Sequence, residues 1–216
     1  FRDPEVYQAL EERVIPAIFA EKGGQAPVRI WAAGCSSGEE AYSLAMLVKE
    51  RMEREGVNRP VQIFATDVDE KALAAARRGI YPPSIVQEMG PDRVQRHFRK
   101  TEDGLRVDDD LRKMILFATH DLLRDPPFFH LDLVLCRNLL IYLKPEHQQT
   151  LLRRLFHALE PEGRLVLGPS ESGSRVEGVF RVEDKKARIY QRGAGDGWSA
   201  ERFTEAAPLR TPVQAN

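Results

Sequence analysis

Cysteine is scarce in this sequence, which has two among 216 residues, Cys35 and Cys136. They are not at the short spacings of zinc sites or redox-active pairs, so we expect reduced, largely buried thiols rather than a disulfide framework. No apolar run approaches the roughly 20 residues that span a bilayer, and the start has no signal-peptide pattern. These absences favour a cytoplasmic protein that is not inserted in a membrane.

An excess of basic residues is also missing, because 32 Lys and Arg stand against 33 Asp and Glu, for a formal net charge of −1. Nucleic-acid-binding domains usually have a basic excess, so we expect no nucleic-acid partner. The five histidines are scattered without metal-ligand spacing, and we assign no metal. No G-x-S-x-G or Walker A string occurs, so hydrolase and NTPase functions lack support.

Apolar runs alternate with segments of helical periodicity along most of the chain. Strands are predicted over residues 28–33, 61–65, 114–118, 131–136 and 164–167, with a C-terminal antiparallel pair at 179–182 and 187–191. Helices are predicted from Glu39 to about Glu55, through 72–77 up to Gly79, and from Lys144–Pro145 to a stop at Pro161 and Gly163. Strands that alternate with helices predict an α/β fold with a mostly parallel sheet covered on both faces.

Two segments depart from this alternation. Residues 98–107 contain the turn pair Asp103–Gly104 between strand-compatible residues and predict a hairpin, part of a small β-subdomain inserted at about 98–113. Residues 193–216 are rich in Gly, Ala and Pro without periodicity, which predicts a disordered tail or a linker to another signalling domain. The chain begins at Phe1 rather than Met, so we expect 1–192 to be one domain of a longer protein.

The loop after the first predicted strand has two glycines and two glutamates in the string WAAGCSSGEE. Gly34 and Gly38 allow a ligand to approach the backbone, and the following helix presents free N–H groups and the positive end of its dipole. The string is not G-x-G-x-x-G, and the glutamates repel phosphate, so a cationic ligand fits better than a dinucleotide. The structural alternative is a capping box, in which Ser37 caps the helix and Glu40 bonds back.

Polar residues also follow the second and third long strands, at Asp67 and Asp121. Ligands of open α/β sheets bind outside the carboxyl ends of the strands, so these side chains are expected to share a cleft with the glycine loop. An acidic side chain at the end of the second strand commonly accepts the hydroxyls of a ribose, and we predict this role for Asp67. Its alternative role is to cap the next helix, for which Asp69 is equally suited.

Arg137 and Asn138 follow the next strand directly, in the string LCRNLLIYL. An arginine beside a cleft can hold a carboxylate through a bidentate pair, or it can pair with a surface acid. Tyr142 lies four residues after Asn138, a spacing that places both on one face of a helical turn. The sequence therefore leaves Tyr142 either in this cleft or in the core.

These strings together resemble the CheR family, the methyltransferases that esterify glutamates on bacterial chemoreceptors. WAAGCSSGEEAYSLAM resembles the cofactor loop and first helix of the family, and FATDVDEKALAAARRGIY resembles its second strand and helix. LVLCRNLLIYL resembles the fourth strand and following turn, and GRLVLGPSES the fifth strand and loop. The resemblance runs from Phe1 to about Arg192 and implies a Rossmann-like fold that binds S-adenosylmethionine.

The resemblance also implies roles for particular residues. Together with the glycine loop at Gly34, it places cofactor contacts at Glu40, Asp67, Asp121, Leu122, Arg137 and Asn138. Tyr142 is implied near the transferred methyl group. Phe1-Arg2-Asp3 resembles the end of the T-x-F-F-R-D segment of the family, which gives Arg2 an active-site role. The candidate catalytic residues are therefore Arg2, Arg137 and Tyr142.

The implied function is methyl transfer from S-adenosylmethionine to glutamate side chains on the cytoplasmic domain of chemotaxis receptors, giving glutamyl methyl esters and S-adenosylhomocysteine in sensory adaptation. A glutamate with a pKa of about 4.3 is already ionised at neutral pH, so this reaction needs no general base. Two alternatives remain open. One is a non-catalytic signalling domain that binds S-adenosylmethionine or its product, and the other is a methyltransferase with a different substrate.

Overall fold

Strands and helices alternate through residues 3–23, 26–171, 176 and 179–193, which the computed structural model describes. The strands are β1 (Val28–Ala33), β2 (Val61–Asp67), β3 (Ile80–Tyr81), β4 (Phe98–Thr101), β5 (Gly104–Val107), β6 (Ile115–Thr119), β7 (Leu131–Cys136), β8 (Leu159–Leu167), β9 (Phe180–Asp184) and β10 (Ile189–Arg192). The helices are α1 (Pro4–Ala9), α2 (Ile15–Lys22), α3 (Glu39–Glu55), α4 (Glu70–Arg78), α5 (Ile85–Met89), α6 (Pro91–His97), α7 (Asp109–Lys113) and α8 (Pro145–Ala158). A π-helical turn (Leu10–Val14) joins α1 to α2, and a 3-10 helix covers Leu140–Tyr142.

The larger sheet has the strand order β6-β2-β1-β7-β8-β10-β9. Its first five strands are parallel, whereas β10 is antiparallel to both of its neighbours. The chain runs outward from β1 through β2 to β6 and then crosses to β7 on the other side of β1. The crevice between β1 and β7 is thus the switch point at which α/β sheets bind ligands. The predicted mostly parallel sheet with an antiparallel C-terminal pair is confirmed.

Apolar side chains fill one layer on each face of this sheet, because successive residues of a strand point to opposite faces. Ile30 and Ala32 of β1 belong to the layer formed with α1, α2 and α3, whereas Trp31 and Ala33 belong to the layer formed with α8. Every residue of β7 is buried. Burial on both faces explains why the parallel strands are apolar without alternation.

A second, antiparallel sheet has the order β3-β5-β4. Its β4–β5 hairpin is the one predicted over residues 98–107, but the two-residue strand β3 is absent from the prediction because it is too short to show periodicity. A Cβ atom at Gly104 would lie 2.5 Å from the carbonyl oxygen of Tyr81. The close approach of β3 and β5 therefore requires glycine at this position, and the small sheet includes residues well before 98.

The end of α8 differs from the prediction that Pro161 and Gly163 stop this helix, which is wrong. The helix ends at Ala158, and β8 begins at the next residue, Leu159. Leu159 pairs with Leu131 of β7, and the register shifts before regular pairing continues. Pairing with β7 is a long-range contact, and helical periodicity carries no information about it.

Three further predictions concern what the chain lacks. Both cysteines are buried and free, as predicted. Among the helices of the described residues, none has the length and apolar character needed to cross a membrane. The same residues contain no cluster of three or more His, Cys, Asp or Glu suited to a metal ion. The predicted tail lies, after Gly193, outside the described residues.

A buried ion-pair network fixes α6 against α3. The Glu50 carboxylate, whose side chain is 8% exposed, lies 2.9 Å from Nε2 of His97 and 2.9 Å from Nη2 of Arg93. Arg93 also contacts Glu11 of the π-helical turn at 2.7 Å. Burial alone raises the pKa of Glu50, but the hydrogen bonds with His97 and Arg93 outweigh it and lower this pKa to about 2. Through Glu50 and Glu11, Arg93 thus connects α6 to α3 and to the π-helical turn.

We predict that this network stabilises the fold above pH 4.5 and that its contribution is lost as the pH falls towards about 2. The folded-state pKa of Glu50 lies below its unfolded value, so the unfolded chain binds the proton more readily and protonation favours unfolding. Glu50→Gln should lower the free energy of unfolding at neutral pH and flatten its dependence on pH in this window. Urea denaturation at a series of pH values measures both.

The matched control is Glu53→Gln, which removes an acid of the same helix whose side chain is 41% exposed. Its pH profile should follow that of the wild type, because exposed ion pairs contribute little. Parallel acid profiles for E50Q and the wild type would contradict the role of Glu50.

Candidate cofactor site

The carboxyl ends of four neighbouring strands lie in register at one edge of the large sheet. Ala33 of β1 pairs with Thr66 of β2 and Cys136 of β7, and Cys136 pairs with Leu167 of β8. The residues that follow these four positions are Gly34, Asp67, Arg137 and Gly168. Paired strands are about 5 Å apart, so backbone pairing alone brings these residues into one row.

A cavity of ≈ 1070 Å³ opens next to this row. Its walls come from the loop after β1, the start of α1 and α3, the segment around α5, and the segment after β7. The predicted site residues that line it are Gly34, Glu40, Asp67, Arg137, Asn138 and Tyr142. Six of the residues singled out from the sequence therefore share one cavity, as the strand ends predict.

Acidic side chains outnumber basic ones in this cavity. The acidic residues in its lining are Asp3, Glu39, Glu40, Asp67 and Glu88. Of the described lining residues, Arg137 is the basic one, and it is already paired with two of these acids. A cavity lined in this way attracts a ligand with positive charge and disfavours a phosphate.

Arg137 is at the centre of the site, with 4% of its side chain exposed. Its Nη1 donates to Glu40 at 2.7 Å, and its Nη2 donates to Asp3. The guanidinium carbon also lies 5.8 Å from the ring centre of Tyr7, a cation–π contact. A buried guanidinium is stable only when paired in this way, and Arg137 joins Asp3, at the start of α1, to Glu40, in the first turn of α3.

Glu40 projects into the cavity rather than back to its own helix. The N-cap of α3 is Gly38, and no side chain caps it, so the capping-box alternative is wrong. The Glu40 carboxylate accepts from Arg137 and, at 3.4 Å, from the hydroxyl of Tyr7. Burial raises the pKa of Glu40, while the Arg137 guanidinium opposes this rise. The side chain is held by contacts more than 30 residues away in sequence, and it lines the cavity.

Asp67 and Asp69 have separate roles. Asp69 caps α4 by accepting from the N–H groups of Lys71 and Ala72, so Asp67 is not needed for capping. Each carboxylate oxygen of Asp67 accepts one backbone hydrogen bond, from Ser36 at 2.8 Å and from Asp69 at 2.9 Å. These bonds fix its orientation, and the remaining lone pairs can accept hydroxyl groups of a ligand.

Asn138 and Tyr142 both line the cavity, although not as neighbours on one helix. Asn138 has a left-handed backbone with φ 57, and the 3-10 helix begins only at Leu140. Tyr142 is 83% exposed, so the prediction that it lies in the cleft is confirmed and the core alternative is wrong. Its hydroxyl is accessible to a second molecule that approaches the cavity.

Two predicted site residues, Asp121 and Leu122, are not brought into the cavity. Asp121 accepts backbone hydrogen bonds from Leu123 and Arg124 in its own turn. Leu122 is buried in the apolar layer under α8. Neither is part of the cavity lining that the described residues form. Arg2 lies outside the described residues.

Two tyrosines and a glutamate at the site are missed by sequence reasoning. Tyr7 orients Glu40 and Arg137, and the hydroxyl of Tyr81 donates to the Ser37 carbonyl oxygen at 2.8 Å. Glu171 bonds to the backbone of the segment after β7. Tyr81 and Glu171 fall within strings that resemble the CheR family. Their positions in the sequence do not indicate which groups they hydrogen-bond to.

A family model described as "CheR methyltransferase, SAM binding domain" matches residues 1–189. The chain belongs to this CheR family. The resemblance predicted from the four strings is thereby confirmed, and so is S-adenosylmethionine as the cofactor of the domain.

Curated relatives cover most of the chain. An uncharacterized 104.1 kDa protein of Rhodobacter capsulatus is 40% identical over 88% of this chain but only 20% of its own length. A chemotaxis protein methyltransferase of Vibrio parahaemolyticus is 34% identical over 84% of this chain and 66% of its own length. Chemotaxis protein methyltransferase 1 of Pseudomonas aeruginosa is 37% identical over 89% of this chain and 72% of its own length. The chain thus spans less than two thirds of the Rhodobacter and Vibrio proteins.

Solved structures support the fold. A candidate S-adenosylmethionine-dependent methyltransferase from Methanococcus maripaludis matches with a TM-score of 0.51 at 12% identity, covering 89% of this chain and 87% of that chain. A possible exported protein from Bordetella parapertussis matches with a TM-score of 0.53 at 17% identity, covering 89% and 67%. The predicted Rossmann-like methyltransferase fold is confirmed.

The cavity fits the cofactor of this family in size and charge. Its volume of ≈ 1070 Å³ reaches the upper range of small-molecule sites. S-adenosylmethionine carries a sulfonium and an amine, both cationic, and the acidic lining complements them. Asp67 and Glu40 are two of the carboxylates in this lining.

Proposed function

We propose that this domain transfers the methyl group of S-adenosylmethionine to glutamate side chains of chemotaxis receptors and acts as a protein-glutamate O-methyltransferase. The observation that carries the proposal is the acidic cavity of the CheR domain, with the exposed Tyr142 hydroxyl at its lining. The relatives named as chemotaxis protein methyltransferases support the same assignment. The receptor's cytoplasmic domain is the partner we propose, with the enzyme in the cytoplasm at the membrane periphery.

The proposed roles follow from the contacts of each residue. Asp67, oriented by Ser36 and Asp69, holds the ribose hydroxyls. Glu40 holds a cationic group of the cofactor, and Gly34 and Asn138 complete the walls. S-adenosylmethionine supplies, when bound, a methyl group activated by the sulfonium charge and leaves as S-adenosylhomocysteine. We do not extend a cofactor contact to Asp121 or Leu122, since the described cavity lining lacks both.

The chemistry requires alignment rather than proton transfer. A substrate glutamate is ionised at neutral pH and attacks the methyl carbon as a carboxylate, forming a glutamyl methyl ester. Tyr142 donates one hydrogen bond that positions this carboxylate without neutralising it. Arg137 is too well paired with Glu40 and Asp3 to draw in the substrate, so its proposed role is to hold the acidic cavity together.

The second candidate function is a signalling domain that binds the cofactor without catalysis. The match to a fifth of a 104.1 kDa relative favours it, because it indicates that such a sequence occurs within a much longer protein. We accordingly propose that residues 1–192 act joined to other signalling domains in either case.

Two measurements separate the candidates. Calorimetry with S-adenosylhomocysteine tests the cavity, and incorporation of labelled methyl groups into a receptor cytoplasmic domain tests catalysis. Label released by alkali, as expected of carboxyl methyl esters, supports the enzyme. Binding without incorporation supports the signalling domain, and the absence of binding overturns both.

Asp67→Ala is predicted to weaken the binding of S-adenosylhomocysteine about 10- to 100-fold, the size expected when hydrogen bonds to a charged acceptor are lost. The matched control is Asp69→Ala, which removes a helix cap at a cost of about 1 kcal/mol in stability and leaves binding unchanged. Calorimetry and thermal denaturation of both variants measure these effects. Wild-type affinity in D67A would remove the ribose role of this residue.

Tyr142→Phe is predicted to slow methyl transfer about 10-fold, equivalent to one hydrogen bond in the transition state. Binding of S-adenosylhomocysteine and stability should be retained, because the hydroxyl is exposed in the free protein. The control is Ile141→Val, a neighbouring exposed position outside the cavity lining. A Y142F enzyme with unchanged kcat and KM would show that the hydroxyl takes no part.

A further inference from the structure

Glu171 is a buried carboxylate that bonds to backbone amides. It follows β8 and is 2% exposed. Its Oε1 accepts from the N–H groups of Leu139 and Leu140, at 2.8 and 2.7 Å, and its Oε2 accepts from the N–H of Gly168. Burying a carboxylate is costly unless hydrogen bonds compensate, and here three neutral peptide groups provide them.

The backbone of the bound segment is shaped to receive an anion. Asn138 is left-handed with φ 57, and Leu139 is right-handed with φ −112 and ψ −40. Successive residues of opposite hand point consecutive N–H groups into one concavity, which binds anions in many proteins. The Glu171 carboxylate fills this concavity from within the chain.

Gly168 makes the close approach between the two segments possible. A Cβ atom there would lie 2.7 Å from the backbone nitrogen of Asn138 and 3.0 Å from Oε2 of Glu171. The loop after β8 therefore lies directly against the loop after β7, and the contact fixes the position of one relative to the other.

The segment that Glu171 holds carries four residues of the cavity, Arg137, Asn138, Leu139 and Tyr142. Glu171 itself is not in the cavity lining that the described residues form, so it acts on a ligand only through this segment. Asp67 lies on the far side of β1, in β2, and has no bond to the segment. A substitution at Glu171 should therefore disturb the cavity residues of the segment after β7 and leave Asp67 in place.

We propose that Glu171 is a positioning residue for methyl transfer: its carboxylate binds the backbone of Leu139 and Leu140 and so sets Asn138 and Tyr142 relative to the cofactor. This inference rests on the proposed function, and it adds a residue to which neither the sequence pattern nor the family match assigns a role. It also accounts for a buried acid without a cationic partner among its described hydrogen bonds.

The test is Glu171→Gln, which keeps the shape of the side chain and leaves one acceptor oxygen where the carboxylate has two. Hydrogen exchange of the Leu139 and Leu140 amides should accelerate about 10-fold or more, since a bond to a charged acceptor is replaced by a weaker one. S-adenosylhomocysteine should bind about 10-fold more weakly, and kcat should fall by at least as much.

Two controls separate positioning from general stability. Binding of 5′-methylthioadenosine, which keeps the ribose but lacks the amino-acid part of the cofactor, should change less than about twofold, because the ribose is proposed to bind Asp67, whose hydrogen bonds are with Ser36 and Asp69 and not with the segment. Glu50→Gln removes another buried carboxylate, in the α3–α6 network, and should lower stability while leaving both affinities unchanged.

Two kinds of outcome would contradict the inference. Wild-type exchange rates and kcat in E171Q would show that Glu171 does not position this segment. An equal loss of affinity for S-adenosylhomocysteine and for 5′-methylthioadenosine would show the same. A wild-type protein that does not bind S-adenosylhomocysteine would overturn the proposed function as well, and the exchange rates would still report whether the carboxylate holds the segment.

Discussion

Parallel pairing of β2, β1, β7 and β8 brings four strand ends to the same line at the edge of the sheet. Backbone hydrogen bonds set this register, so the position of the row of residues beyond it does not depend on contacts between the side chains of the site. A shift of one residue in any pair would exchange the side chains of the two buried layers and move the strand ends out of line. The cavity thus derives its position from the core, whose two apolar layers tolerate only one register.

Charge is arranged on this frame in a way that keeps the cavity acidic. Arg137 forms ion pairs with Glu40 and Asp3. Its side chain is too deeply buried to bind a further anion. Asp67 is oriented by peptide N–H groups rather than by a cation, and it lines the cavity. The hydrogen bond from Tyr81 to Ser37 adds the small sheet to the same frame. Glu40 and Asp67 are thus held in place by hydrogen bonds while lining the cavity.

The local sequence pattern was enough to predict the strands and helices that position the site, but not which side chains contact each other there. The bounds of β1, α3 and β7 coincide with those predicted, because apolar runs and helical periodicity report burial directly. The cavity residues at the strand ends follow from the topology of such sheets. The contact of Tyr7 with Glu40 spans 33 positions, and no periodicity encodes a contact of that range.

The same limit explains the predictions that fail. The boundary between α8 and β8 depends on pairing with β7, and the capping box at Glu40 is displaced by Arg137, which is 97 positions away. Asp121 shows the converse case, since its hydrogen bonds are local to its own turn. A polar residue after a strand therefore identifies the correct edge of the sheet without specifying the direction of its side chain.

The left-handed backbone at Asn138 has a consequence for comparing sequences of this family. Asparagine and glycine occupy this conformation at low cost, whereas branched and bulky residues do not. Any relative that keeps this turn is thus restricted at the position by geometry alone, whether or not its side chain contacts a ligand. Invariance at position 138 across an alignment would therefore reflect both the backbone geometry and any ligand contact of the side chain. A substitution such as Asn138→Gly, which keeps the turn and deletes the amide, separates the two.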